Sequence, residues 1–296
     1  MFDMHFHSLA SDGKATIDEI VTAAAAQPQL RAMALTDHDH LASSITFAAR
    51  EPRAWIGAEM FSKHGSMPVD LLALNVRPDH DELNKYIALR TNERRIRFDT
   101  YAERLRADGW TFEPSQAIYD NPQLARPHVV EEVRRHPANR ERLIAMNIQP
   151  VKPPAEESSE DRIYPLLIDP LGVTGFVYST ADTIALIHRA GGLAVLAHPI
   201  IKPYSKGKAS KASARRGLRE MVEAGLDGIE VFHNAQRDEA FVVELLERAE
   251  EHNLLVTAGS DDHDPGLPYL GSMLAIDHPD AEYYWQQLSE AKDRYR

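Results

Sequence analysis

The sequence predicts an α/β barrel on three observations. Short apolar runs alternate with helical patterns along most of the 296 residues, which is how a parallel α/β fold reads. About seven strand–helix units can be counted, close to the number that closes a barrel. Five polar clusters each end an apolar run, and in an α/β barrel the C-terminal ends of the strands are the face where active sites are built.

Phe2–Phe6 reads as the first strand. Thr16-Ile17-Asp18-Glu19 is a capping box that opens a helix running to Ala25. Further strands fit Ala32–Thr36, Trp55–Met60, Val69–Val76, Leu193–Ala197, Gly228–Phe232 and Leu254–Gly259, with helices at Ala181–Ala190, Arg215–Ala224 and Asp238–His252. The middle differs. Asp79–Asp108 is a long, charged helical pattern, and Asn121–Tyr164 is rich in Pro and charge, with Glu156–Asp161 reading as a solvated loop. Residues 79–176 are therefore expected to form an inserted, mostly helical subdomain between the barrel segments 1–78 and 177–296. A second loop, Lys202–Arg216, concentrates basic residues in an otherwise acidic chain.

The formal net charge is -12 with His neutral. That balance gives no whole-surface attraction to phosphate backbones, so long nucleic acid is not an expected partner. Cysteine is absent, which removes disulfides, thiolate metal sites and a Cys nucleophile. No run approaches the roughly 18–20 apolar residues needed to span a bilayer. The first residues carry Asp3, His5 and His7 and do not read as a signal peptide, so a cytoplasmic protein is expected. The 14 His point to a metal bound by nitrogen and oxygen.

The first polar cluster is Asp3-Met4-His5-Phe6-His7 with Ser11-Asp12-Gly13. Residues i and i+2 of a strand share a face, so His5 and His7 can reach one ion, with Asp12 close enough for a neighbouring one. The second, Thr36-Asp37-His38-Asp39-His40, offers His38 as a ligand and Asp37 as the group that orients it. Glu59 supplies a carboxylate that two ions can share. In the fourth, His198 precedes Pro199 and is aimed off a strand end as a ligand, proton donor or phosphate partner. In the fifth, Asp261 and His263 repeat the i, i+2 spacing. Two half-buried strand histidines, a loop His40 and a surface Glu59 are the plain structural alternatives.

Taken together, Asp3-x-His5-x-His7, Ser11-Asp12-Gly13, Thr36-Asp37-His38, Gly57-x-Glu59, Ala197-His198-Pro199 and Gly259-Ser260-Asp261-x-His263 resemble the motif set of the PHP (polymerase and histidinol phosphatase) family. The match runs in order over most of the chain. The resemblance implies a distorted seven-stranded (β/α) barrel with two or three divalent ions, Mn²⁺ or Fe²⁺ first and Zn²⁺ next. It implies that His5, His7, Glu59 and Asp261 hold one ion and Asp12, His38 and His263 another. For a third position it implies His128, in Arg126-Pro127-His128, and a residue in Val69–Val76. There relatives carry His and this chain has Asp70, a harder oxygen ligand.

The implied reaction is hydrolysis of a phosphate ester by a metal-bound hydroxide. His198 is the candidate proton donor and Asp261 the essential ligand. Arg126 and His233 are the candidate substrate contacts; a surface arginine and a satisfied structural histidine are the alternatives. The expected substrate is a small phosphorylated metabolite, a nucleotide 3',5'-bisphosphate or a sugar phosphate. A cyclic phosphodiesterase, a 5'-3' exonuclease for short oligonucleotides, a metal-dependent amidohydrolase and a non-catalytic PHP module are the other readings.

Overall fold

A computed structural model describes residues 2–121, 123–151, 162–173, 175–199, 211–234, 239–263 and 278–296. The chain runs β1 (Phe2–Phe6), α1 (Ile17–Ala25), β2 (Ala32–Leu35), α2 (Ala42–Ala48), β3 (Ala54–His64) and β4 (Met67–Leu74). Then come α3 (Asp81–Ala107), α4 (Gln116–Tyr119), α5 (Arg126–Arg135) and α6 (Arg140–Ala145). It continues with α7 (Thr180–Arg189), β5 (Leu193–Leu196), α8 (Lys211–Glu223), β6 (Gly228–His233), α9 (Glu239–Glu251), β7 (Leu255–Gly259) and α10 (Ala281–Ala291). It divides into two compact units, Met1–Ile87 with Val177–Arg296, and Ala88–Phe176.

In the first unit the seven strands form one sheet in sequence order, β1 to β7. The ends of the sheet meet. Asp261 donates its N–H to the His5 carbonyl at 2.7 Å and His7 donates to Asp262 at 2.9 Å, so the sheet curls into a nearly closed barrel. β4 runs antiparallel to both β3 and β5, a departure from the parallel sheet expected. The cause is the connection: β3 extends to His64, and only Gly65 and Ser66 separate it from β4, whereas a parallel crossover needs a dozen or more residues. Gly65 turns the hairpin at φ +60.

The helices pack their apolar stripes on this barrel. The capping box of α1 forms as read, and α1 buries Ile20 and Ala24 in a cluster with Phe6, Leu35 and Phe47. The main core joins the strand residues to α7, α8, α9 and α10 through Ile187, Met221, Leu245 and Leu288. No helix among the described residues is long and apolar enough to cross a membrane.

The second unit has its own core, which includes Phe98, Leu105, Trp110, Phe112, Val129 and Ile168. Part of Asn121–Tyr164 is helical. Pro127 occupies the first turn of α5 and Pro137 the first turn of a short 3-10 helix, positions where a missing N–H costs nothing. Glu156–Asp161 and most of Lys202–Arg216 lie outside the described residues.

Candidate metal centre

Buried polar residues mark one end of the barrel. His5 lies in β1 and His7 just beyond it; Glu59 is inside β3; Asp261 follows β7 at φ +51. Their atoms converge. His5 Nε2 and His7 Nε2 are 3.2 Å apart, and Asp261 Oδ1 is 3.4 Å from the first and 3.1 Å from the second. Glu59 Oε2 lies 3.4 Å from both. A divalent ion with N and O ligands at about 2.0–2.2 Å spaces adjacent donors by roughly 3.0–3.5 Å, which suits the group His5, His7 and Asp261, with Glu59 adjoining it.

Hydrogen bonds behind the ligands show which ring nitrogens carry protons. His5 Nδ1 donates to Glu230 Oε1 at 3.0 Å. Ser11 gives its hydroxyl proton to Asp37, so its oxygen is left to accept from His7 Nδ1 at 3.3 Å. His263 Nδ1 donates to the Asp261 carbonyl at 2.7 Å. In the neutral form that binds a metal, each of these rings would turn an unprotonated Nε2 inward. In that form the Nε2 lone pairs of His5 and His7 would face the carboxylates of Glu59 and Asp261. Converging electron pairs of this kind call for a cation, and the residues present fit a divalent metal.

A second group opens toward solvent: one ligand atom each from His7, Asp12, His38 and His263 lie within 4.8 Å of one another. His38 Nδ1 is 2.8 Å from Glu59 Oε2 and its Nε2 is 3.4 Å from Asp12, while His263 Nε2 is 3.3 Å from Asp12. Glu59 thus stands between the two groups. A third group combines His5, Glu59 and His198, with His198 Nε2 at 2.8 Å from Glu59 Oε1 and 3.8 Å from Asp70 Oδ2.

Electrostatics follow this geometry. Burial opposes ionisation of Glu59, but His38 and His5 hold its pKa well below the ordinary value. Burial is likewise overcome at Asp261, whose pKa falls beside His5, His233 and His7. Burial also disfavours a charged His38, yet Glu59 and Asp12 hold its pKa up to about 10. Burial lowers His7, and its neighbours His38 and His5 add to the effect. At His198 burial loses to Glu59 and the pKa rises.

Several expected residues have other neighbours. Asp37 does not orient His38 through any of these contacts. It accepts from Ser8, Ser11 and Ser43, so it braces the loop after β1 and acts on His7 through Ser11. His233 is 3% exposed and reaches Asp261 Oδ2 at 3.3 Å. Asp70 is buried in β4, beside His198. Arg126 and His128 belong to the second unit, where Arg126 pairs with Asp169 and lies over the Tyr164 ring. His128 Nδ1 accepts the Ala125 N–H at 3.1 Å, capping α5. The three groups above take no residue from that unit. Glu230 was not singled out from the sequence; its one signal was a carboxylate inside an apolar strand.

No family model matches the chain. A 3',5'-nucleoside bisphosphate phosphatase of Chromobacterium violaceum is 30% identical over 277 residues, covering 89% of this chain and 87% of the relative. The 5'-3' exoribonuclease Rnm of Escherichia coli is 25% identical over 277 residues, covering 90% and 86%. A phosphoribosyl 1,2-cyclic phosphate 1,2-diphosphodiesterase of Eggerthella lenta is 27% identical over 284 residues, covering 91% and 97%. Among solved structures, one assigned as a metal-dependent phosphoesterase from Bifidobacterium adolescentis superposes with a TM-score of 0.70 at 25% identity, covering 97% of this chain and 95% of that one. An amidohydrolase structure from Chromobacterium violaceum also gives 0.70 at 25% identity, covering 98% and 96%. Barrel, acid–imidazole cage and relatives together define a metal-dependent phosphoesterase, a hydrolase of phosphoric esters. The chain belongs to the PHP family.

Proposed function

We propose that this phosphoesterase hydrolyses a phosphomonoester of a nucleoside 3',5'-bisphosphate. The observation that carries the reading is the cage of His5, His7, Glu59 and Asp261, with donor spacings of 3.1–3.4 Å. The choice of substrate rests on the activity named for the Chromobacterium violaceum relative. In this reading His5, His7, Glu59 and Asp261 hold one ion and Asp12, His38 and His263 a second, with Glu59 shared. Mixed imidazole and carboxylate ligands suit Mn²⁺ or Fe²⁺, with Zn²⁺ also accommodated.

Bound divalent ions supply neutralisation of the phosphoryl charge and activation of water at neutral pH. The chain's own residues do the rest. His198 keeps a proton between its Nε2 and Glu59, which makes it the donor to a leaving alcohol, a role that typically contributes about 10²- to 10⁴-fold. His233 steadies Asp261 through Oδ2. Asp70 and His198 form the edge at which a further ion would bind.

A second reading is hydrolysis of a cyclic phosphodiester or of short 5'-phosphorylated oligonucleotides, favoured by the activities named for two other relatives. Phosphate release by metal-stripped and Mn²⁺-reloaded protein distinguishes them on one panel: nucleoside 3',5'-bisphosphates, sugar phosphates, cyclic phosphates and a 5'-phosphorylated dinucleotide. Mn²⁺-dependent release is expected from the bisphosphates. Turnover confined to a cyclic phosphate or the dinucleotide would move the assignment to the second reading.

A further inference from the structure

We propose that Glu230 is a positioning residue of the metal centre, one buried carboxylate that sets His5 and His198 together. This inference rests on reading the cage as an ion site. Glu230 lies in β6 and is 0% exposed. Its Oε1 accepts from His5 Nδ1 at 3.0 Å, and its Oε2 accepts the backbone N–H of His198 at 2.7 Å. The two contacts do different things. The first fixes the His5 tautomer, so that Nε2 presents a lone pair to the cage. The second holds the turn in which His198 sits at φ +26, a conformation costly for any side chain other than glycine. From that turn the ring reaches Glu59 Oε1 at 2.8 Å. Glu230 therefore acts through two histidines on either side of Glu59.

Two neighbouring features show the strands accommodating this carboxylate. The β6–β7 register shifts between Glu230 and Phe232. A bulge adds one residue to the period of two, which turns Glu230 and His233, three apart, toward the same cluster. On β7, Gly259 leaves room: a Cβ there would stand 2.0 Å from Glu230 Oε1 and 2.4 Å from His5 Cβ.

Only a carboxylate satisfies both partners. Glutamine has one accepting oxygen and one donating nitrogen, so Glu230→Gln must turn an N–H toward either His5 Nδ1 or the His198 N–H. In the full-length, metal-stripped protein, calorimetric titration with Mn²⁺ is expected to show 10- to 100-fold weaker binding for Glu230→Gln. Its metal-free melting temperature should stay within a few degrees of wild type. Glu230→Asp keeps both acceptors on a shorter arm and is expected to lose about tenfold. Glu132→Gln, which alters a buried carboxylate of the second unit, should leave Mn²⁺ affinity unchanged.

Wild-type Mn²⁺ affinity in Glu230→Gln would overturn the proposal. If that variant does not fold, wild-type affinity in a folded Glu230→Asp would overturn it equally. Absence of Mn²⁺ binding by the wild-type protein would instead remove the ion-site reading on which the proposal stands.

Discussion

Ser11 stands between Asp37 and His7, giving its proton to one and accepting from the other, and comparable partners lie behind His5 and His263. The cage is thus held by donors and acceptors that never touch an ion. Asp261 faces His5 and His7 with Oδ1 and His233 with Oδ2. Asp261→Ala is expected to lose one equivalent of bound metal, measured by elemental analysis, and to lower turnover at least 10²-fold. Wild-type turnover in that variant would remove Asp261 from the centre. The residues now grouped in the cage were legible because clusters such as Asp3-x-His5-x-His7 are dense and regularly spaced. Glu230 was not, because a β-bulge breaks the period of two on which face assignments rest. Asp37 was assigned to its sequence neighbour His38, whereas a buried carboxylate takes whichever donors the fold brings near, here three serines.

Between elements, short connections decide more than propensity does. The two residues between β3 and β4 reverse the chain, a direction legible in their spacing but hidden by the expectation of a parallel sheet. Gly65 adopts φ +60 with open space around it, so Gly65→Ala is expected to destabilise by about 1 kcal/mol through backbone strain alone. Urea unfolding measures this, and Gly65→Asn should cost less. A different joint forms before β6, where Asp227 accepts from His188, the Ala194 N–H, Arg294 and Tyr295 at 2.8–2.9 Å. Burial would raise its pKa, but His188 and the other donors depress it below the ordinary 3.8. A depressed carboxylate contributes stability above its unfolded pKa and loses it as pH falls through the folded value. Asp227→Ala should therefore cost on the order of 1–3 kcal/mol at pH 7. The gap to wild type should stay level down to about pH 5 and close below about pH 4. A gap that widened on acidification would contradict the assignment.

For the molecule as a whole, bound metal and folded chain are linked. Mn²⁺ at about 100 times its dissociation constant adds about 2.7 kcal/mol, which for a protein of this size raises the melting temperature by roughly 4 °C. A chelator should reverse the gain, and a melting point indifferent to both would count against a resident ion. The barrel was legible in its alternation of strand and helix patterns. The bounds of α5 and α6 were not, because prolines mark helix starts as readily as loops. The barrel's seam carries a final consequence. The cage is stitched across segments far apart in sequence: 254 residues separate His7 from Asp261, and 257 separate Asp3 from the Ser260 N–H it accepts. A fragment that stops before β7 would therefore lack Asp261 and His263 and carry an incomplete cage.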